Sequence, residues 1–282
     1  MLINLKAMLR YAQEKKIAIG SFNIYNVESL QAVLAASKPT DHPVIISFGE
    51  AYDSHMPLEA MAELVRFYCA TSDQPVVLHL DHSKKERTIC RAIKAGFTSV
   101  MYDGSRKTLA ENSACSREIA TMAHYTDVSV EGELGYMNDE DGTDGSGQPS
   151  SRQYTRPEAA AAYAEASGVD ALAIAIGNAH GIYKGTPVLD FVRLQEIAAA
   201  TALPLVLHGS SGIPKEALQQ AIRLGIRKIN INTEVSTRGI QSSREFLQQH
   251  TDKNTRFEAL AKTAEHAMAQ VVESYLEWFD LH

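Results

Sequence analysis

Histidines recur in this chain beside carboxylates, glycines and hydroxyls. The segments are His79-Leu80-Asp81-His82, Gly177-Asn178-Ala179-His180-Gly181 and His208-Gly209-Ser210-Ser211-Gly212. Neutral imidazoles supplied by separate rigid elements can surround one divalent ion and leave a coordination position open, the pattern of a catalytic Zn(II) site. His82, His180 and His208 are the candidates. A single histidine at the end of a strand is more often a hydrogen-bonded structural residue, whereas three that converge reverse that preference. The Gly209–Gly212 turn offers a second kind of chemistry. Glycine lets backbone N–H groups approach an anion closely, and Ser210, Ser211 and Thr233 add hydroxyl donors. Both ideas depend on whether the fold brings these segments together.

Eight short runs rich in Val and Ile recur along the chain: IAIGSFNI, PVIISFG, PVVLHLDH, TSVMYDGS, VSVEGELG, ALAIAIG, PLVLHGS and KININT. Between them lie VESLQAVLAAS, PLEAMAELVRFYCA, KERTICRAIKAG, TLAENSACSREIATMAHY, RPEAAAAYAEAS, LDFVRLQEIAAAT and PKEALQQAIRLG, with apolar residues three or four apart. This alternation predicts an α/β fold, a (β/α)8 TIM barrel. A doubly wound open sheet is the alternative, but its first turn is often a glycine-rich phosphate loop and here reads SFNIYN. An extra helix is expected at the N-terminus, in LKAMLRYAQEKK. Another is expected at the C-terminus, where Leu260, Ala264, Met268, Val271, Tyr275 and Phe279 are spaced to pack on the barrel exterior or against a second subunit. The polar stretch 136–154 stands outside the pattern, as long loops that are functional or disordered do. No linker is visible, so residues 1–282 read as one domain.

In such a barrel the C-terminal strand ends carry chemistry and the N-terminal ends carry stability. The ionisable residues of the eight runs are expected at the chemical rim: Asp81-His82, Asp103, Glu131 and Glu133, His180, His208, then Asn230, Asn232 and Thr233. His79, two residues before Asp81 and on the same side, reads as interior or as a support behind the metal ligands. Lys228, opening the eighth run, reads as lying at the stability face. The turn after the seventh strand and Asn230-Ile231-Asn232-Thr233 occupy the place where TIM barrels commonly bind phosphate, with the helix opening at Pro214 supplying partial positive charge.

The net charge of −7 over 282 residues gives no basic field for nucleic acid. No apolar run is long enough to span a bilayer, and the first residues lack a signal-peptide core. Three cysteines without a CxxC pair fit a reducing compartment, so the expected location is cytoplasmic.

From SFNIYNVE through LHLDH, GFTSVMYDGS, VEGELG, YTRPE, AIGNAHGIYKG, PLVLHGSSGIP and INTE, the chain resembles the class II, metal-dependent ketose-bisphosphate aldolases. The resemblance implies zinc held by His82, His180 and His208, with Asp103 and Glu133 at a second or displaced cation position, divalent or monovalent. It implies Asp81 as the acid–base residue at carbon 4, and Glu140 as the loop acid at carbon 3. The contacts expected for dihydroxyacetone phosphate are Gly181, Gly209, Ser210, Ser211, Asn230, Ile231, Asn232 and Thr233. Asn23 and Lys184 are further substrate contacts. The implied reaction is reversible cleavage of a fructose- or tagatose-type ketose 1,6-bisphosphate to dihydroxyacetone phosphate and glyceraldehyde 3-phosphate, in a homodimer or homotetramer.

Two departures bear on substrate. Many relatives carry Ser for the distal phosphate where this chain has Gly49, and the Asp-Pro-Arg segment near the C-terminus of relatives is here Asp252-Lys253-Asn254-Thr255-Arg256-Phe257. The alternative is therefore a ketose 1-phosphate aldolase that uses a non-phosphorylated aldehyde. A barrel hydrolase would be expected to show an HxH pair on the first strand, which is missing. A non-catalytic subunit stabilising another aldolase would be expected to lose a ligand or the acid, and all are retained.

Overall fold

Alternation along each Val/Ile-rich run decides where its side chains go. The computed structural model describes residues 1–40, 42–70, 72–135, 154–179, 181, 183, 185–251 and 254–280. Its strands are β1 (Ile19–Asn23), β2 (Val44–Gly49), β3 (Val76–Ser83), β4 (Ser99–Tyr102), β5 (Ser129–Leu134), β6 (Ala171–Ile174), β7 (Leu205–Leu207) and β8 (Ile226–Ile231). All pair in parallel, in chain order, and β8 returns to β1 to close the barrel. The eight predicted runs are these eight strands, so the fold is the expected TIM barrel.

One set of alternate residues, including Phe22, Ile46, Leu78, Val100, Val130, Leu172, Leu207 and Ile229, faces the helices in a continuous buried core. That layer contains α2 (Val27–Ser37), α3 (Leu58–Cys69), α4 (Glu86–Ala95), α5 (Leu109–His124), α6 (Pro157–Ser167), α7 (Phe191–Ala200) and α8 (Lys215–Arg223). Two more helices, α9 (Thr233–Gln249) and α10 (Phe257–Phe279), complete the ring, and α10 packs on α9 and α2. Met268, Val272, Tyr275, Leu276 and Phe279 are its buried stripe, which answers the exterior-packing expectation. The sequence reading did not pick out α9, because only Val235, Gly239 and Ser242 of its residues are buried and the apolar stripe is faint.

The opposite set of strand residues points into the barrel. At the floor, Ile19, Ile45, Val77, Ala171, Ala173 and Val206 pack against Leu5, Met8, Leu9 and Ala12 of α1 (Leu5–Lys15). The expected N-terminal helix is therefore a plug under the barrel. Asn4 caps it by accepting a hydrogen bond from the Ala7 N–H at 2.9 Å.

Two irregularities re-aim side chains. Between β3 and β4 the register shifts from Leu80↔Val100 to Ser83↔Tyr102, one extra residue on β3. Between β7 and β8 it shifts from Leu205↔Ile226 to Val206↔Lys228, one extra residue on β8. No described helix is long and apolar enough to cross a membrane.

Candidate metal centre and active site

Strict alternation would send His82 outward with Leu80. Instead His82 takes the left-handed backbone region at φ 49°, inside the β3 bulge, so that two consecutive residues both reach the barrel mouth. Such a conformation costs a non-glycine residue about 1–3 kcal/mol and persists where the surroundings over-determine it. Here those surroundings are specific. His82 Nδ1 lies 3.0 Å from Asp81 Oδ1, and His82 Nε2 lies 3.2 Å from Nδ1 of His208, which follows β7. Ligand atoms of Asp81, His82 and His208 all fall within 4.8 Å of one another.

The donor set fits a divalent ion. His208 Nε2 is 2.7 Å from Glu131 Oε1, which makes that nitrogen the donor to a carboxylate. By the same reasoning His82 uses Nδ1–H toward Asp81. The two remaining ring nitrogens face each other at 3.2 Å, a distance that the N–H of a protonated His82 spans when no ion is bound and that two nitrogens sharing a cation also take. Burial lowers the His82 imidazole, but Asp81, then Glu133 and Asp103, raise it to about 9. Two nitrogens bound tetrahedrally to an ion such as Zn(II) lie about 3.3 Å apart. His180, the third predicted ligand, lies outside the described residues, as do Lys184 and Glu140.

Asp81 is held from both sides. Asn23 donates from Nδ2 to Oδ2 at 3.0 Å, and Asn230 donates to Oδ1 at 3.3 Å. Burial works against ionisation, but the charge and hydrogen bond of His82, then His208 and Lys228, hold the Asp81 carboxyl well below its ordinary range. Glu133 is the opposite case. Burial pushes its carboxyl up to about 8, with only partial relief from His82, whose Nε2 is 3.9 Å from Oε2. Asp103 sits at the end of β4 and accepts hydrogen bonds from Ser105 N and Oγ at 3.1 and 2.6 Å. Its other oxygen meets Lys84 at 3.4 Å. Burial opposes its charge, yet these contacts keep its carboxyl below the usual value.

Beside this cluster opens a cavity of about 670 Å³, lined by Asn23, Asp81, His82, Gly181, His208, Gly209, Ser211, Asn230, Asn232 and Thr233 among others. Most predicted contacts thus share one space. Gly209 and Gly212 have φ of 58° and 85°, the left-handed region that glycine adopts without strain, and Gly209 and Ser211 of this turn line the cavity. Ser211 Oγ accepts from the Glu234 N–H at 3.3 Å, which ties the turn to the N-terminus of α9. The helix end at this wall is therefore α9, opening directly at Thr233, rather than only the α8 end predicted at Pro214. Two predicted contacts offer no side chain here. Ser210 Oγ turns back to Leu207 O at 3.1 Å, and Ile231 belongs to the helix-facing core.

The opposite wall consists of Gly49, Glu50, Tyr52, Asp53, Ser54, Lys84, Lys85 and Thr88, mostly absent from the sequence reading. Glu50 accepts from Thr88 Oγ1 at 2.6 Å and from Lys84 N at 3.0 Å. Asn232 donates to Tyr52 Oη at 3.1 Å and accepts from Tyr25 Oη. These tyrosines lie just after β1 and β2, and position on the chemical rim was the available signal.

The expectation that ionisable strand residues gather at the rim needs correction. His79, Glu131 and Lys228 are fully buried below it, inside the barrel. Lys228 Nζ lies 2.9 Å from Glu131 Oε2, so this lysine is an interior cation and not a stability-face residue. His79 is interior as predicted, with Nδ1 2.8 Å from Ser99 Oγ. Burial, then the Lys228 charge, lowers its imidazole to about 3.

The family model for class II fructose-bisphosphate aldolase matches residues 3–282. The chain belongs to that family. It is thus a lyase, and the class II aldolases are generally metal-dependent, which the donor set above fits. Similar solved structures include the YdjI aldolase from Escherichia coli K12, 30% identical with a TM-score of 0.86 over 99% of this chain and 97% of that one. A candidate fructose-1,6-bisphosphate aldolase from Coccidioides immitis is 28% identical with a TM-score of 0.86, over 98% and 96% of the two chains. A fructose-bisphosphate aldolase from Campylobacter jejuni, 22% identical with a TM-score of 0.82 over 99% and 95%, shares the fold.

Proposed function

We propose that this aldolase uses Zn(II) to cleave a ketose phosphorylated at carbon 1 into dihydroxyacetone phosphate and an aldehyde, reversibly, and that fructose- or tagatose-type sugars are its substrates. The observation that carries the reading is the paired His82 and His208 nitrogens, 3.2 Å apart, beside Asp81 in a cavity whose wall is a glycine–hydroxyl turn. His82 and His208, with His180, would hold the ion. When bound, it supplies Lewis-acid stabilisation of the enediolate charge left by carbon–carbon cleavage.

The protein's own groups do the rest. Asp81, kept ionised by its neighbours, takes the proton from the carbon-4 hydroxyl in cleavage and returns it in condensation. Gly181, Gly209, Ser211 and Thr233, with the α9 N-terminus, bind the carbon-1 phosphate. Asn23 and Asn230 orient Asp81. Glu140 is assigned the carbon-3 proton, and Asp103 and Glu133 the displaced cation position. A Schiff-base route has no support among the described lysines of the barrel: Lys228 is fully buried and paired with Glu131, and Lys84 and Lys85, which follow β3 at the cavity wall, lie 3.4 Å from Asp103 and 4.0 Å from Glu50.

A second reading concerns the far end of the sugar. A Cβ at Gly49 would lie 3.1 Å from Tyr52 Cε2, so the tyrosine ring covers the place where relatives carry a phosphate-binding serine. This supports ketose 1-phosphates as substrates alongside, or instead of, 1,6-bisphosphates. Chelation should abolish cleavage, zinc should restore it, and borohydride with substrate should trap nothing. Full activity in verified metal-free protein would overturn the zinc reading. Comparing kcat/KM for fructose and tagatose 1-phosphates with their 1,6-bisphosphates decides the substrate; a thousandfold preference for a bisphosphate would reject the second reading.

A further inference from the structure

Below the mouth of the barrel lies a polar layer that the reaction above does not use. Glu131 is its centre. One oxygen, Oε1, accepts from His208 Nε2 at 2.7 Å, and the other, Oε2, is paired with Lys228 Nζ at 2.9 Å. All three side chains have no exposed surface. His79 Nε2 stands 3.8 Å from the same Oε2, while its Nδ1 is engaged by Ser99 Oγ at 2.8 Å. The layer is therefore closed off from the protein surface, and Lys228 is the side chain that meets the carboxylate opposite His208.

The backbone has been bent to put it there. Without the extra residue on β8, the register Leu205↔Ile226 would continue to Arg227, and Lys228 would fall one position out of step with its neighbours on β7. The bulge aligns Lys228 with Val206 and sets it on the same inward file as Asn230, which reaches Asp81 Oδ1 at 3.3 Å. Arg227 is held by its guanidinium on Ile222 O and Ile226 O, both at 2.7 Å. A buried ion pair is seldom a net source of stability, since hydrophobic residues of similar volume often do as well. A bulge that delivers a lysine to a carboxylate behind a histidine therefore calls for a role other than holding the barrel together.

We infer that Lys228 is a positioning residue for His208, acting through Glu131. By anchoring Oε2 it fixes the carboxylate so that Oε1 faces Nε2–H of the imidazole. That choice of donor leaves Nδ1 as the acceptor directed to His82. Carboxylate partners of this kind fix the tautomer and ring orientation of a metal-binding histidine, and their loss lowers metal affinity about 10–100-fold. The inference rests on the metal-site reading above, and its tests separate the two.

The first test is performed on metal-free full-length protein with nitrogen-15-labelled histidine. Long-range proton–nitrogen correlation spectra should show His208 as the Nε2–H tautomer in the wild type and a loss of that preference in Lys228→Met. The second titrates Zn(II) against a competing chelating dye. Lys228→Met should bind zinc about 10–100-fold more weakly. The double variant Lys228→Met/Glu131→Gln should recover most of that loss, because an amide oxygen accepts from Nε2–H with no countercharge to anchor it. Leu9→Ala, in the α1 plug, serves as the control for lowered stability and should bind zinc as the wild type does.

Unchanged tautomer and unchanged zinc affinity in folded Lys228→Met would overturn the inference. So would an Nδ1–H tautomer in the wild type, or zinc affinities that simply follow the melting temperatures of Lys228→Met and Leu9→Ala. If Lys228→Met does not fold, the double variant replaces it: a retained Nε2–H tautomer with near-wild-type affinity supports the anchoring role, and loss of both rejects it. Failure of the wild type to bind zinc at all would defeat the metal reading, while the tautomer spectra would still decide what Lys228 does.

Discussion

The floor and the mouth of this barrel are built by the same strands under the same alternation, with opposite results. At the floor, Ile19, Ile45, Val77 and Val206 meet Leu5, Met8 and Leu9 of α1, and close packing is all they need. At the mouth, His82, Asp81 and His208, with Glu131 beneath them, are joined by contacts of 2.7–3.2 Å, and each depends on the next for its orientation. The floor can be regular because apolar contacts have no direction. The mouth cannot: the β3 bulge and a left-handed histidine are present where directed contacts had to be made, and the one irregularity lower down, the β8 bulge beside Val206, delivers Lys228 to the directed contact with Glu131. Stability and chemistry are thus assigned to opposite ends of one closed sheet.

This separation can be broken experimentally. Removing a ligand should have the largest effect. His208→Ala is expected to lose bound metal and to lower cleavage at least about a thousandfold, since a Lewis acid supplies several kcal/mol of transition-state stabilisation. The check is kcat/KM measured together with metal content; a variant that keeps both would move the chemistry away from the mouth. Asp81→Ala comes next. It should keep the metal and lose carbon–carbon cleavage about 10²–10⁴-fold, while proton exchange on dihydroxyacetone phosphate declines less. Equal loss of both activities would reject the division of roles assigned to Asp81.

The floor should respond in the other currency of measurement. Leu9→Ala, fully buried in the plug, is expected to cost about 2–5 kcal/mol in urea unfolding while kcat/KM at 25 °C stays unchanged. A fall in kcat at temperatures where this variant is folded would show that the two ends are coupled. The smallest change is Asn4→Ala, which removes the α1 cap and should cost about 1 kcal/mol. Its sharpening value is that it touches neither the packing of the plug nor the mouth.

How far the sequence foretold this follows from the same contrast. Val/Ile runs with polar punctuation sufficed for the eight strands and the order of closure, because burial on both faces leaves such a run few alternatives. Asp81, His82 and His208 were legible as strand-end polar residues. The side on which His82 emerges was not, because alternation sends it outward and only the β3 bulge brings it back. Lys228 was misplaced for the same reason: a one-residue insertion at the start of β8 cannot be read from a pattern of period two. The Tyr25–Asn232–Tyr52 contacts join three different strand ends, and no local spacing encodes them.

The Glu131–Lys228 pair also makes two distant positions a single heritable unit. One lies on β5 and the other on β8, so any recombinant whose crossover falls between them can receive its carboxylate from one parent and its neighbour from the other. Where the second parent carries no cation at that place, the progeny buries a charge without its partner, at a cost of about 3–5 kcal/mol. Laboratory shuffling of this barrel with its relatives should therefore yield soluble hybrids mainly from crossovers before β5 or after β8, and selection over generations should change the two positions together.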